Sequence, residues 1–503
     1  MGGGLSQARM DRGRFLRAAG ALALLPVLVR CGGERLPDYP FRLGVASGEP
    51  SPDGFVIWTR LAPDPLAPDG LGGMPEDAEH AVRWEVSEDE GFRRVVRAGR
   101  AEARPELGHS VHVEVGGLRS GRWYWYRFEA GGEVSPVGRA RTLPAPGEAV
   151  GSLSFALASC QDWAGGDYPA YRRMAGEELD LVVHLGDYVY EEEDTRTLAD
   201  FRRLYGLYKS APALREAHAA FPFVAVPDDH EVDNDWAGPY PEDYPELGRE
   251  EFLRIRAAAF QAYYEHMPLR PSSLPRGPRM RLHRRLRFGG LAELHLLDTR
   301  QHRDDQPTGR LIAPRRPEAL EPGRSMLGEE QRRWLFSGLR RSRARWNLIA
   351  QQTMLARYDY DTGPGVSVNH DQWDGYAAAR RRLLGFLRER RPSGPVVLSG
   401  DWHAGFVNDL KADFRDPASQ TVAPEIVTPS ISSGCPWADR VERALGENPH
   451  VKYFGGDRRG YVRCSLQEGL LRADFRLLEG PERMVTASSW AVEAGSPEAR
   501  RAF

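Results

Sequence analysis

The chain has 503 residues, of which 41% are hydrophobic and 28% charged. That length allows about three domains at roughly 150 residues each, and the composition excludes a disulfide-stapled miniprotein, a disordered chain and a multi-span membrane protein. Sixty-eight basic and 71 acidic residues leave a net charge of −3, without the basic footprint of a protein that grips nucleic-acid backbone.

Only Lys209, Lys411 and Lys452 among the basic residues are lysine, a bias that reads as GC-rich codon usage and carries no chemistry. Four cysteines, Cys31, Cys160, Cys435 and Cys464, are too few and too scattered for a disulfide framework or a CxxC zinc site.

Residues 1–31 read as a removable export signal. Arg9, Arg12, Arg14, Arg17 and Arg30 face the single acid Asp11, and the apolar run from Ala18 to Val29 is too short to span a bilayer. Arg12-Gly13-Arg14-Phe15-Leu16 resembles a twin-arginine motif interrupted by Gly13, which leaves twin-arginine and general secretion both open. Cys31 stands where a lipidated cysteine would, although Arg30 is a poor residue before one. The expected location is outside the bacterial inner membrane: periplasmic, secreted or lipid-anchored.

From 41 to 146 the pattern is short alternating runs between Gly, Pro and Asp clusters. Phe55–Arg60, Val82–Ser87, Ser110–Val115 and Trp123–Glu129 predict strands of an all-β immunoglobulin- or fibronectin-like sandwich. Gly117 to Gly121 before the aromatic strand matches the turn that precedes a fibronectin-type tyrosine.

After the Pro144–Gly147 hinge the periodicity changes. Apolar runs at 153–158, 179–185, 223–226, 291–297, 348–350 and 396–398 alternate with helical stretches at 197–209, 250–266, 328–342 and 376–390, which predicts an α/β domain over 150–480. Residues 481–503 read as a C-terminal tail. The arginine-dense segments 276–287 and 340–345 read as solvated faces.

Four buried runs end in groups able to bind metal: Ser159-Cys160-Gln161, Gly186-Asp187-Tyr188-Val189-Tyr190, Asp228-Asp229-His230-Glu231 and Gly400-Asp401-Trp402-His403. Sites of α/β sheets gather at the carboxyl ends of strands, so four such ends predict one site. Each piece alone is weak. A lone cysteine is most often a buried structural thiol, and Gly-Asp is a common strand-end turn. Three carboxylates and an imidazole within four residues, however, repel one another when partly buried and call for a cation.

In this order the motifs resemble the metallophosphoesterase superfamily, and within it the PhoD-like alkaline phosphatases. Cys160, Tyr190, Asp229 and Asp401 make the replacements that set that branch apart. Gly44 to Pro50, Val56 to Arg60, Asp298-Thr299-Arg300-Gln301 and Asp371-Gln372-Trp373-Asp374 resemble further blocks of the family. Pro227, Asp235 and His370 depart from its usual pattern.

The resemblance implies an α/β/β/α sandwich and an exported, monomeric phosphatase. That enzyme hydrolyses phosphomonoesters, and diesters as well, by metal-activated hydroxide attack, to acquire phosphate. It implies ferric iron and calcium, held by Cys160, Asp187, Tyr190, Asp229, Asn234, Asp401 and His403, with Asp187 as the bridge. Softness agrees: thiolate, phenolate and imidazole suit a transition metal, and carboxylate and amide oxygens suit calcium. Spacing alone leaves zinc and manganese open.

His230 aligns with a histidine placed to protonate the leaving oxygen or hold the phosphate, and a role in orienting metal ligands is the alternative. Arg300 can reach a substrate phosphate bidentately or serve as a structural ion pair, and Glu191 starts an acidic turn. The alternatives are a phospholipase D-like phosphodiesterase, marked by a wide apolar groove beside the site, and a cell-surface binding protein with an inactive phosphatase domain. Pairing of Cys435 with Cys464 is open.

Overall fold

The computed structural model describes residue 36 and residues 38–502, apart from 164, 243–245, 309–310, 417 and 482. The predicted export signal and Cys31 lie outside the described residues. From Leu36 onward the chain forms one compact unit.

Two sheets carry the fold. Three parallel strands, Leu153–Ala158, Leu181–His184 and Pro222–Ala225, form the middle of a ten-stranded sheet. A seven-stranded sheet is built on the parallel strands Ala292–Leu296, Trp346–Ala350, Pro395–Ser399 and Thr421–Val427.

Successive side chains of a strand point to opposite faces, and here the alternation sorts residues between cores. Leu153, Phe155, Leu157, Leu181 and Val183 pack against Leu294, Leu296, Leu348, Val396 and Leu398 between the two sheets. Ala156, Ala158, Val182 and Phe223 face the other way, onto helices Pro169–Ala175, Leu198–Lys209, Pro212–Ala220 and Arg249–His266. Ile349, Val397 and Val427 face helices Gly328–Arg341 and Ala377–Arg390. The layers therefore run helix, sheet, sheet, helix. Runs that read as uniformly apolar do so because both faces are covered.

The helix predicted from 197 starts there for a local reason. Asp200 N–H donates to Thr197 Oγ1 at 3.2 Å, and Thr197 N–H donates to Asp200 Oδ2 at 2.9 Å, a reciprocal cap.

The segment 41–146 reads in the sequence as a self-contained sandwich, and the structure divides it. Strands His80–Ser87, Val95–Ala103, Trp123–Ala130, Glu133–Val134 and Gly138–Arg141 form one sheet. Val45–Ser51, Gly54–Arg60 and Ser110–Val115 instead extend the ten-stranded sheet, through a parallel pairing of Ser47 with Pro222. That pairing covers an edge the central strands would otherwise expose.

Apolar residues of both groups share a core that includes Phe55, Ile57, Val111, Val82, Tyr126 and Phe128. The turn before the aromatic strand behaves as a tyrosine corner: Arg119 N–H donates to Tyr124 Oη at 3.0 Å. Residues 481–503 are not a tail. Met484–Glu493 and Ala499–Arg501 pair as the edge of the ten-stranded sheet, because Trp490 and Val492 bury into the core between the sheets.

One buried cation joins the N-terminal strands to the central loops. Lys209 is 2% exposed; its Nζ lies 4.3 Å from the Trp58 ring centre and donates to Tyr188 Oη at 3.4 Å. Burial lowers its pKa to about 7, below the value of about 10.4 expected in an unfolded chain. Between those values the unfolded chain holds a proton that the folded chain lacks, so this group makes stability rise with pH and fall toward neutrality. Lys209→Met is therefore expected to be more stable than the parent at pH 7, with the gap closing toward pH 10. Urea melts at the two pH values check it, and a constant gap would refute the assignment.

Candidate metal centre

The site is made at the carboxyl ends of parallel strands from both sheets. Cys160 follows Leu153–Ala158, Asp187 follows Leu181–His184, Asp228 and Asp229 follow Pro222–Ala225, and Asp401 and His403 follow Pro395–Ser399. Cys160, Asp187, Asp401 and His403 all have left-handed backbone, with φ of 58°, 53°, 67° and 55°. Such strain in non-glycine residues persists only where the surroundings over-determine it, and it clusters at functional sites.

The glycines of the motifs have steric reasons. Gly186 has φ +103°, and a Cβ there would collide with Asp228. A Cβ on Gly400 would press on the Ser159 side chain at 2.9 Å. Both let neighbouring loops approach closely.

Glu231, fully buried, ties these loops together. Its carboxylate accepts from the N–H groups of Asp187 at 3.1 Å, Tyr188 at 2.8 Å and Asp228 at 2.7 Å. Burial raises its pKa to about 7.

Two overlapping sets of donors converge. Ligand atoms of Cys160, Asp187 and His403 lie within 4.8 Å of one another, as do those of Asp187, Asp228, Asp229 and Asp401. Asp187 belongs to both. Tyr190 Oη joins the first set: it lies 3.1 Å from Asp187 Oδ2, 3.0 Å from His403 Nε2 and 2.9 Å from Ser433 Oγ. His403 Nδ1 faces the Gly434 carbonyl at 2.7 Å. A carbonyl only accepts, so that nitrogen carries the proton and Nε2 keeps its lone pair toward Tyr190. Burial lowers the His403 pKa to about 4, which keeps the ring neutral.

The electrostatics favour a bound cation. Burial, reinforced by Asp187 and Asp401, pushes the Cys160 thiol well up. Burial and Asp229 raise Asp187, and burial and Asp229 bring Asp401 to about 7. Burial opposes ionisation of Asp229 too, but Arg300 and His230 overcome it and hold that carboxylate below the usual range. Asp187 Oδ1 and Asp228 Oδ2 are buried without a hydrogen-bond partner. Buried polar atoms are normally paired, so orphaned carboxylate oxygens facing a thiol, a phenol and a neutral imidazole are a donor set that fits metal ions.

His230 lines the cavity above this cluster. Its Nδ1 meets Glu191 Oε2 at 2.9 Å, which leaves Nε2 as the nitrogen available to a ligand. Burial disfavours the charged ring, but Glu191 and Asp187 outweigh it and raise the pKa well above the ordinary value. Glu191 is thus no solvated turn residue. It is buried and orients His230, and it also accepts the Asn234 N–H at 2.7 Å. Asn234 lines the same cavity.

Arg300 is placed differently from a residue that reaches a substrate phosphate. It is 1% exposed and does not line the cavity. Its guanidinium forms ion pairs with Asp228, with Asp371 at 2.8 Å and with Asp229 at 3.3 Å. In the sequence Asp228, Asp371 and Gln372 stand out only as parts of motifs. Gln372 donates to Asp401 and accepts from Trp402 Nε1 at 3.1 Å. Asp229, Asp235 and Asp371 form a further acidic group.

Comparison with known proteins places the chain in a family. A family model described as PhoD-like phosphatase matches residues 155–475, and one described as PhoD-like phosphatase, N-terminal domain, matches residues 29–144. The chain belongs to the PhoD-like phosphatases. Among PhoD-like phosphatases, alkaline phosphatase D of Bacillus subtilis (strain 168) is 45% identical over 498 residues, covering 93% of this chain and 84% of that protein. A solved structure described as "Structure of PhoD" superposes with a TM-score of 0.88 at 43% identity, covering 94% of each chain.

The resemblance carried by the motifs is therefore borne out, and this PhoD-like phosphatase is a phosphoric ester hydrolase of a metal-dependent family. Among its described residues no helix is long and apolar enough to cross a membrane. Cys160, Cys435 and Cys464 are free, buried thiols. Cys435 and Cys464 lie in different cores, so they do not pair.

Proposed function

We propose that this protein is an exported alkaline phosphatase that hydrolyses phosphomonoesters and phosphodiesters to acquire phosphate. In this reading ferric iron sits with Cys160, Tyr190 and His403, calcium sits with Asp229, Asn234 and Asp401, and Asp187 is shared. When bound, such cations neutralise phosphoryl oxygens and lower the pKa of a water. The observation that carries the reading is the convergence of a thiol, a phenol and a neutral imidazole with Asp187, whose Oδ1 has no partner. Soft and hard donors on either side of one carboxylate suit a transition metal beside an alkaline-earth ion.

The remaining work falls to the chain's own groups. His230, held at Nδ1 by Glu191 and charged, offers Nε2–H to the departing ester oxygen. Arg300 acts through Asp228, Asp229 and Asp371, whose carboxylates it fixes. No arginine or lysine is among the residues that line the cavity, which favours the single negative charge of a diester alongside the dianion of a monoester. A binding protein with a decayed site would have lost donors, and this set is complete.

Metal analysis combined with turnover of p-nitrophenyl phosphate and bis-p-nitrophenyl phosphate tests the proposal. The expected result is iron and calcium in the purified protein and hydrolysis of both esters. Protein that holds no transition metal and cleaves neither ester after reconstitution would overturn it. Mass spectrometry of the mature N-terminus decides export and the fate of Cys31.

A further inference from the structure

The cavity over the metal cluster encloses about 280 Å3, and its two walls differ in chemistry. Carboxylates, imidazoles and the amides of Asn234, Asn369 and Gln372 form one part of the lining. Tyr360, Trp402 and Trp437, with Leu311 and Ile312, form the other.

The aromatic wall is fixed in place. Tyr360 and Trp402 are stacked at an interplanar angle of 3°, with ring centres 6.1 Å apart. Trp402 Nε1 donates to Gln372 Oε1 at 3.1 Å, and the same oxygen accepts the Met354 N–H at 2.6 Å. Through its amide nitrogen Gln372 also holds Asp401, so the wall and the metal carboxylate are positioned by one side chain. Trp437 lies 5.2 Å from the His403 ring, centre to centre. Leu311 stands at the rim and is 49% exposed, one of the few large apolar side chains left in water.

A site that handled only a phosphoryl group would have no use for five apolar side chains beside it. A flat apolar ring would bury its faces there and gain stacking contacts.

We propose that Tyr360, Trp402 and Trp437, with Leu311 and Ile312, form a subsite for the organic group of the ester, and that the group it takes is one planar aromatic ring. The proposal rests on the phosphoester reading above and names the substrate class of that same site.

Phenylphosphonate and methylphosphonate share a head group, have no leaving group and differ only by the ring. As competitive inhibitors of p-nitrophenyl phosphate hydrolysis by the metal-loaded protein, phenylphosphonate is expected to show a Ki about tenfold lower, the scale of one good aromatic contact with its buried area. Trp437→Ala is expected to bring the two Ki values within about threefold by weakening phenylphosphonate alone, with metal content retained, and Trp437→Phe to restore the ratio. Equal Ki values in the parent protein would overturn the subsite. A ratio untouched by both Trp437→Ala and Tyr360→Ala would do the same for this wall. No turnover and no inhibition by methylphosphonate would instead remove the phosphoester reading, and the subsite with it.

Discussion

Replacing Asp187 with asparagine is expected to lower kcat for p-nitrophenyl phosphate on the order of 10³-fold, and to strip both kinds of metal from the purified protein while it stays folded. The magnitude follows from the several kcal/mol that metal stabilisation supplies, at 1.36 kcal/mol per factor of ten. Asp187 is the carboxylate common to both donor sets, so its loss weakens two sites together, whereas Cys160→Ala should deplete the transition metal alone.

The fold should tolerate the exchange for three reasons. Asparagine accepts the left-handed backbone that Asp187 adopts at φ 53°. The N–H of residue 187 still reaches Glu231. Burial and Asp229 also oppose ionisation of Asp187, so a neutral amide there costs the metal-free protein no stabilising charge. Elemental analysis, turnover and a thermal melt on one preparation check all three statements. Full metal content with full activity would show that Asp187 is no bridge.

The strands that carry the site were legible because each is an unbroken apolar run ending in Gly-Asp, Asp-Asp or Ser-Cys, and such runs occur where both faces of a strand are covered. The convergence of Cys160, Asp187, Tyr190 and His403 was legible for the same reason, since strand ends share an edge. Legibility failed where a residue's role depends on contacts distant in sequence. Glu191 looks like the start of a solvated acidic turn, yet it orients His230, 39 positions away. Asp371 and Gln372 follow a strand of only three residues, Ser367–Asn369, too short to read as an apolar run, so nothing local marks them as partners of Arg300 and Asp401.

The N-terminal boundary failed differently. Alternation identifies Val45–Ser51 and Gly54–Arg60 as candidate strands, but their sheet is set by the pairing of Ser47 with Pro222, 175 residues on. Met484–Glu493 was missed because an edge strand buries only part of its side chains, which dilutes the pattern.

Arg300→Met is expected to destabilise the metal-free protein by about 3–5 kcal/mol, the usual cost of removing one partner from a buried ion network. At 1% exposure, Arg300 holds Asp228 through Nε, Asp371 at 2.8 Å and Asp229 at 3.3 Å, with Asp401 at 3.9 Å. Arg303 remains on the Asp371 carboxylate, so that one keeps a guanidinium while Asp228 and Asp229 lose theirs. In the variant, carboxylates left among like charges have folded-state pKa values above their unfolded ones. The folded chain then binds extra protons, and its stability falls as pH rises above about 4. The deficit against the parent is therefore larger at pH 8 than at pH 5. Calcium stabilises parent and variant alike by linkage, but it should narrow the deficit, because the variant's carboxylates, free of the competing guanidinium, bind a cation more tightly than the parent's. Urea melts at both pH values, in chelator and in calcium, separate this account from a simple packing defect. A packing defect would leave the deficit the same at each pH and the same with and without calcium, and that outcome would return Arg300 to an ordinary core role.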